Sequence, residues 1–350
     1  PYYISELINN TIEGARYDID FTQVHETEQD CTVAIRSTCG QIFYCYICPS
    51  QFLRSPTVAK QYFKCLELFR SGEEEIDDFD EQDAYDWLLA AFEPVILPLT
   101  ASSDPCVVER PTLAQYIFPQ RVYNCALAAV DDELQPRQLD TSPGWDSPIV
   151  KVDKNRLAEL DQWTRTYAPS DVQLCYDRPE ETLIRPPGRV IVKDLDGQPV
   201  DCFYKMFRHE QTARKELDVL KQIVQAQIPP PPETYICRLH GVVRNEIGLL
   251  GMLFIRIDQK CMLSEPQAAT SSAELRQRWA SQISRTLDKL HNNGIIWGDA
   301  KASNILIDKN DDAWIIDFGG SYTPGWVDED KSGTLEGDKQ GLAKIMDILN

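Results

Sequence analysis

The stretch His291-Asn-Asn-Gly-Ile-Ile-Trp-Gly-Asp-Ala-Lys-Ala-Ser-Asn-Ile-Leu-Ile-Asp308, followed by Ala313-Trp-Ile-Ile-Asp-Phe-Gly319, decides how this chain is read. Asp299 opens a loop, Lys301 follows two residues on and Asn304 five residues on. Ile305-Leu-Ile307 is a short apolar run with the β-branched content of a strand. A polar turn over Asp308–Asp312 separates it from a second such run, Ala313–Ile316, which delivers Asp317. A hairpin of this kind brings Asp317 back beside Asn304. An acid and an amide that converge in this way can share a Mg2+ with phosphate oxygens.

Phosphoryl transfer asks little covalent chemistry of a protein. It needs metal held against the phosphates, a carboxylate near the incoming hydroxyl, and positive charge on the transferred group. Asp299, Lys301, Asn304 and Asp317 are residues of those kinds at workable offsets. The two motifs resemble the catalytic loop and Asp-Phe-Gly segment of the protein-kinase-like superfamily. Trp297-Gly298-Asp299 stands where His-Arg-Asp is usual, a form similar to that of aminoglycoside-type kinases. Asp-x-Lys with Asn304 is similar to Ser/Thr protein kinases. The resemblance implies that Asp299 meets the acceptor hydroxyl, Lys301 meets the γ-phosphate, and Asn304 and Asp317 hold metal. ATP and Mg2+ are the implied cofactors.

The flanks agree with this reading. Ser271–His291 has Leu275, Trp279, Ile283, Leu287 and Leu290 at helical spacing, with Ser271 and Glu274 as a capping box. Upstream, Arg189–Val192 and Val200–Phe207 read as a hairpin around Asp196-Gly197. Lys205 lies in the second strand and Glu216 in a helix over His209–Ala226. The resemblance makes them the lysine–glutamate pair that fixes the lysine on the α- and β-phosphates. Taken without the resemblance, Lys205 is an edge-strand lysine with its charge in water. Leu249–Ile257 is a strand leading into the hinge, where backbone groups around Phe254 and Ile255 are implied to meet adenine. No G-x-G-x-x-G precedes Lys205; the nearest glycine upstream of the hairpin is Gly188, in Arg185-Pro-Pro-Gly188.

After Gly319 the sequence has no Ala-Pro-Glu, and Asp338 opens a helix with Leu342, Ile345 and Leu349 on one face. Asp338 resembles the acid that braces the catalytic-loop backbone. The combination is similar to the reduced kinase-like proteins of filamentous fungi. The expected fold is α+β: a bilobal kinase-like unit with an N-lobe over 151–258 and a truncated C-lobe over 259–350, preceded by an α+β accessory domain over 1–150.

That first part carries its own signals. Cys31–Arg36 and Gln41–Cys48 read as a strand pair around Cys39-Gly40. Pro56–Phe69 and Glu81–Phe92 read as amphipathic helices, Thr112–Val130 as further strands, and Leu134–Ser147 as a polar connection. Asn155–Thr166 reads as one more helix. The acidic run Glu73–Glu81 suits a solvated loop leading into a helix start, better than a docking site for a basic partner. Cys45 and Cys48 invite a zinc or redox reading, but they sit in an apolar strand and no second pair follows at ligand spacing.

Bulk properties set the outer bounds. The chain has 350 residues, 43% of them apolar, enough for two domains. A formal charge of −20 argues against a nucleic-acid partner, which needs a basic face. No apolar run is long enough to span a bilayer, so no membrane partner is expected. Eleven cysteines without repeating spacing read as reduced thiols of a cytosolic protein. The expected partners are ATP and a hydroxyl-bearing acceptor. A small molecule or unusual substrate heads the acceptors, ahead of a Ser/Thr protein substrate. A nucleotide-binding scaffold without activity is the third reading.

Overall fold

The computed structural model describes residues 2–6, 17–25, 27–71, 75–101, 110–140, 149–178, 181–207, 210–320 and 323–350. Glu73, Glu74, His209 and residues 141–147 of the stretches read above lie outside the described residues. The chain divides into two compact units, 1–147 with 170–187, and 148–169 with 188–350. The sequence reading has its first boundary near 150 and carries 170–187 into the second unit. In the structure those residues pack with the first. Leu113 N donates to Val172 O at 2.9 Å and Leu174 N to Pro111 O at 2.8 Å. Arg185 pairs with Asp18 at 3.0 Å. A returning segment held by partners this far upstream leaves no local signature.

The first unit is built on a six-stranded sheet in sequential order: β1 (Tyr2–Glu6), β2 (Tyr17–His25), β3 (Cys31–Ser37), β4 (Gln41–Leu53), β5 (Arg121–Val130) and β6 (Glu133–Leu139). All neighbours run antiparallel except β4 and β5. A parallel pair needs a long crossover. Here it holds α1 (Pro56–Ser71), α2 (Glu81–Ala101) and α3 (Leu113–Ile117). The apolar face of α1, with Val58, Tyr62, Cys65, Leu66 and Phe69, is buried. Tyr62, Leu66, Leu88 and Phe92 pack with Val33, Phe43 and Cys45 of the sheet in one core.

Three details differ from the sequence reading. Helix α2 continues past Phe92 to Ala101, through Pro94 and Pro98. Thr112–Val130 begins with α3 before its strand. Leu134–Leu139, read as part of a connection, belongs to strand β6. It pairs with β5 alone, at the sheet edge, and an edge tolerates Pro136.

Between the two parts of the first unit the chain supplies β7 (Val150–Lys151), α4 (Lys154–Trp163) and β8 (Arg165–Tyr167) to the second. Helix α4 stops short of the expected Thr166 because Thr164 turns extended and β8 begins. After β9 (Gln173–Leu174) in the first unit, the second continues with β10 (Arg189–Lys193), β11 (Pro199–Met206), α5 (Glu210–Gln225), β12 (Leu239–Arg244) and β13 (Gly248–Ile255). Its larger sheet has the order β8-β12-β13-β11-β10, with β7 also paired to β13. Then come β14 (Gln259–Met262), α6 (Glu265–Ala269), α7 (Ala273–His291), β15 (Ile305–Asp308), β16 (Ala313–Ile315) and α8 (Leu335–Leu349). Strands β14, β15 and β16 make a small antiparallel sheet.

Helix α7 buries Trp279, Ile283, Leu287 and Leu290 in a core shared with Ile345 and Leu349 of α8. Its N-cap is Ser272, whose Oγ accepts from Leu275 N at 3.3 Å, and not Ser271. The Ser271 hydroxyl instead donates to Gln267 O at 2.7 Å and ties down the end of α6.

Candidate active site

Strand β11 alternates. Cys202 and Tyr204 are buried on one face, and Phe203 and Lys205 lie on the other, where they line a cavity. Lys205 Nζ lies 2.7 and 2.8 Å from the two carboxylate oxygens of Glu216 on α5. The same ammonium contacts Asp317 Oδ1. One cation therefore gathers two acids from distant parts of the chain. Burial pulls the Lys205 ammonium down, and Glu216 and Asp317 together outweigh that and hold it above its ordinary value. Burial pushes the Glu216 carboxyl up to about 7 against the pull of Lys205.

The hairpin β15–β16 returns the chain as expected, with Ile305 paired to Ile315. Ile316 N donates to Asn304 O at 3.1 Å, which seats Asp317 next to Asn304. Asp317 has φ +60°, a conformation a non-glycine residue adopts at some cost and holds only where its surroundings fix it. Gly319 N donates to Trp297 O at 2.9 Å and supplies part of that fixing.

Asp299 is buried and fully engaged. Its Oδ1 accepts from Thr323 Oγ1 at 3.0 Å. Its Oδ2 accepts from Asn304 Nδ2 at 3.0 Å and pairs with Lys301 Nζ at 2.8 Å. Lys301 also donates to Thr323 Oγ1 at 3.0 Å. Asp338, at the start of α8, holds the loop from beneath. Its carboxylate accepts from Trp297 N at 2.7 Å and Gly298 N at 2.8 Å, and meets His291 Nε2 at 2.8 Å. Trp297 is wholly buried, with Nε1 donating to Ile316 O at 2.9 Å. A large apolar anchor thus stands where the resemblance has the histidine of His-Arg-Asp. One turn along α8, Gly341 lets the helix backbone meet the loop. A Cβ there would sit 2.1 Å from Ala300 O.

The cavity has a volume of about 410 Å3, within the range of small-molecule sites. Its polar lining is Lys205, Glu216, Asn304 and Asp317 together with Arg256 and Gln259; its apolar lining includes Phe203, Phe254, Ile255, Met262 and Leu306. Residues 193–325 match the family model of the protein kinase domain. The kinase-like segment thus contains the whole polar wall, the catalytic loop and Asp-Phe-Gly, and implies ATP-dependent phosphotransfer as its class of activity. The first unit lies outside the match.

Of the residues named from sequence, Lys205, Glu216, Phe254, Ile255, Asn304 and Asp317 line this one cavity. Asp299 and Lys301 are joined to it through Asn304. The N–H of Ile255 is already donated to Arg238 O at 2.9 Å, and that of Arg256 to Asp201 O at 3.1 Å.

Two contributors were missed. Thr323 bridges Asp299 and Lys301, a long-range contact with no local pattern to announce it. Phe203 lines the cavity two residues before Lys205, and strand alternation alone was enough to place it there. Among the described residues no group of three or more His, Cys, Asp or Glu side chains could hold a metal by itself. Asn304 and Asp317 fit a different use. Mg2+ is commonly bound by one or two protein ligands with substrate phosphates and water completing the shell.

Proposed function

We propose that the second unit is an ATP- and Mg2+-dependent phosphotransferase that moves the γ-phosphoryl group to a hydroxyl. The observation that carries this is the meeting of Lys205, Glu216, Asn304 and Asp317 on one cavity wall, with Asp299 attached through Asn304. Glu216 orients Lys205 toward the α- and β-phosphates. Asp317 and the Asn304 amide oxygen are the metal ligands. Bound Mg2+ would neutralise charge on the phosphate oxygens. Asp299 receives and orients the acceptor hydroxyl, and Lys301 offsets negative charge on the transferred group.

The acceptor in this reading is a small molecule or an unusual substrate. The segment between Gly319 and α8 is short and lacks Ala-Pro-Glu, leaving little chain to hold a peptide. A second reading, a Ser/Thr protein kinase, draws on the Lys301–Thr323–Asp299 triangle, which ties that segment to the catalytic acid. The cytosolic placement goes with the proposal; among the described cysteines, Cys31, Cys65, Cys202 and Cys237 are buried free thiols. Among the described residues no helix is long and apolar enough to cross a membrane. The likeness to filamentous-fungal kinase-like proteins rests on the loop motif.

The test is ATP turnover by the full chain against metabolite and peptide panels, with Asp299→Ala alongside. The expected result is turnover on a metabolite, reduced by about 10^2–10^4-fold in the variant with Mg-ATP binding retained. Turnover on peptides selects the second reading. Mg-ATP binding without turnover on any acceptor makes the chain a nucleotide-binding scaffold.

A further inference from the structure

The family match begins at Lys193, so helix α4 lies outside it, yet α4 is built into the second unit at both ends. Before it, β7 pairs with β13 through Val150 and Leu249. Near its end Asp161 pairs with Arg244 of β12 at 3.0 Å. Leu160 is wholly buried in the core that holds Leu217 and Leu220 of α5. Two charged side chains of α4 then reach across to α5. Arg156 pairs with Asp218, and Glu159 with Lys221. Arg156 and Glu159 also pair with each other at 2.8 Å. The four side chains form one ladder of alternating sign, in the order Asp218, Arg156, Glu159, Lys221.

The helix gripped by this ladder is the one that carries Glu216. That carboxylate is buried, and taking a charge out of water costs free energy that its contact with Lys205 must offset. Solvation thus favours an outward α5 unless the helix is held. Asp218 and Lys221 lie two and five residues beyond Glu216. At 3.6 residues per turn they stand about 200° and about 140° round the helix from it, on the side turned away from the cavity. A helix held at two points one turn apart, opposite its inward-facing acid, resists the roll that would carry the acid off the lysine. One exposed ion pair contributes little alone, whereas a network of them on a core-anchored helix can fix a position. We propose that Arg156 and Glu159 are positioning residues, which act through Asp218 and Lys221 to hold Glu216 against Lys205. The inference rests on reading the cavity as a nucleotide site.

The experiment measures the Mg-ATP affinity of the full chain and its variants. Reversing the α4 pair, Arg156→Glu with Glu159→Lys, keeps the bond within α4 but opposes both bonds to α5, and affinity should fall about 10-fold. Adding Asp218→Lys and Lys221→Glu rebuilds the ladder with every sign reversed and should restore affinity to within about 3-fold of the parent. In a Glu216→Gln background, reversing the α4 pair should cause almost no further loss, because two changes that act through one contact do not add. Unchanged affinity in the α4-reversed chain overturns the proposal, as does a fourfold variant that fails to recover. So does a full further loss in the Glu216→Gln background, which would make α4 a general support of the fold. If the α4-reversed chain does not fold, Glu159→Gln takes its place, with a loss of about 2–3-fold expected and no loss overturning the proposal. A parent chain that does not bind Mg-ATP would instead sink the phosphotransferase reading, and this inference with it.

Discussion

Each unit of this chain withdraws a set of charges from solvent, and the two sets are held differently. In the first unit Arg36 Nε lies 2.6 Å from Asp20 Oδ2, Tyr116 OH donates to Asp20 Oδ1 at 2.7 Å, and Arg36 Nη1 donates to Tyr116 O at 2.8 Å. The Arg36 guanidinium also lies over the Tyr116 ring, 3.9 Å from its centre. The two charged side chains are 8% and 7% exposed, so the group is closed on itself. In the second unit Lys205 and Asp317 keep 33% and 38% of their side-chain surface open, and both face a cavity. Buried charge by itself is thus no sign of a site. A closed cluster spends its donors and acceptors on the fold; an open one keeps them for a ligand.

The largest effect should come from breaking the closed cluster. Arg36→Met leaves Asp20 buried without its cation and should cost about 3–5 kcal/mol. Adding Asp20→Leu should recover most of that, because the cost lies in the orphaned charge. Urea unfolding of the two variants checks this. If the double variant is no more stable than the single, the cluster is not a self-contained pair.

A smaller effect is expected at Asp338, which is as buried as the first cluster but serves the second site. Asp338→Asn weakens the support of Trp297 N and Gly298 N and should cost about 1–3 kcal/mol. It should lower turnover more than nucleotide affinity, since it positions the loop and touches no ligand. Parallel loss of kcat and of Mg-ATP affinity would place Asp338 with the ligand-facing group instead.

The smallest effect is a pH slope. The folded Glu216 carboxyl titrates at about 7 against an ordinary 4.5, so the folded state binds this proton more tightly. Its contribution to stability is complete below pH 4.5, shrinks as pH rises, and is gone above about 7. Thermal midpoints should therefore fall across that window in the parent and fall less in Glu216→Gln. Equal slopes would mean that the open cluster carries no such linkage.

What could be read from the sequence follows the range of each interaction. The loop from Asp299 to Asp317 was legible because a hairpin fixes it locally, and six named residues do meet at one cavity. Lys205 and Glu216 needed the resemblance, since nothing between a strand and the next helix fixes their facing. The edge strand β6 was hidden by Pro136 and its polar residues, which suit an edge as well as a connection. The cap of α7 slipped by one residue because Ser271 and Ser272 offer the same chemistry. Thr323 and the return of 170–187 to the first unit depend on partners far along the chain, and periodicity carries no information about those.

Helix α8 carries Gly337 and Gly341, a turn apart and both buried. Each costs a helix about 1 kcal/mol relative to alanine. A Cβ at either would meet a backbone oxygen, of Lys331 at 2.2 Å or Ala300 at 2.1 Å. The helix is thus a poor one in isolation and a good one only under contact. Cut out as a peptide, residues 335–350 would be mostly coil in water. Within the protein, its order is borrowed from the loop it supports, so the two should be lost and regained together.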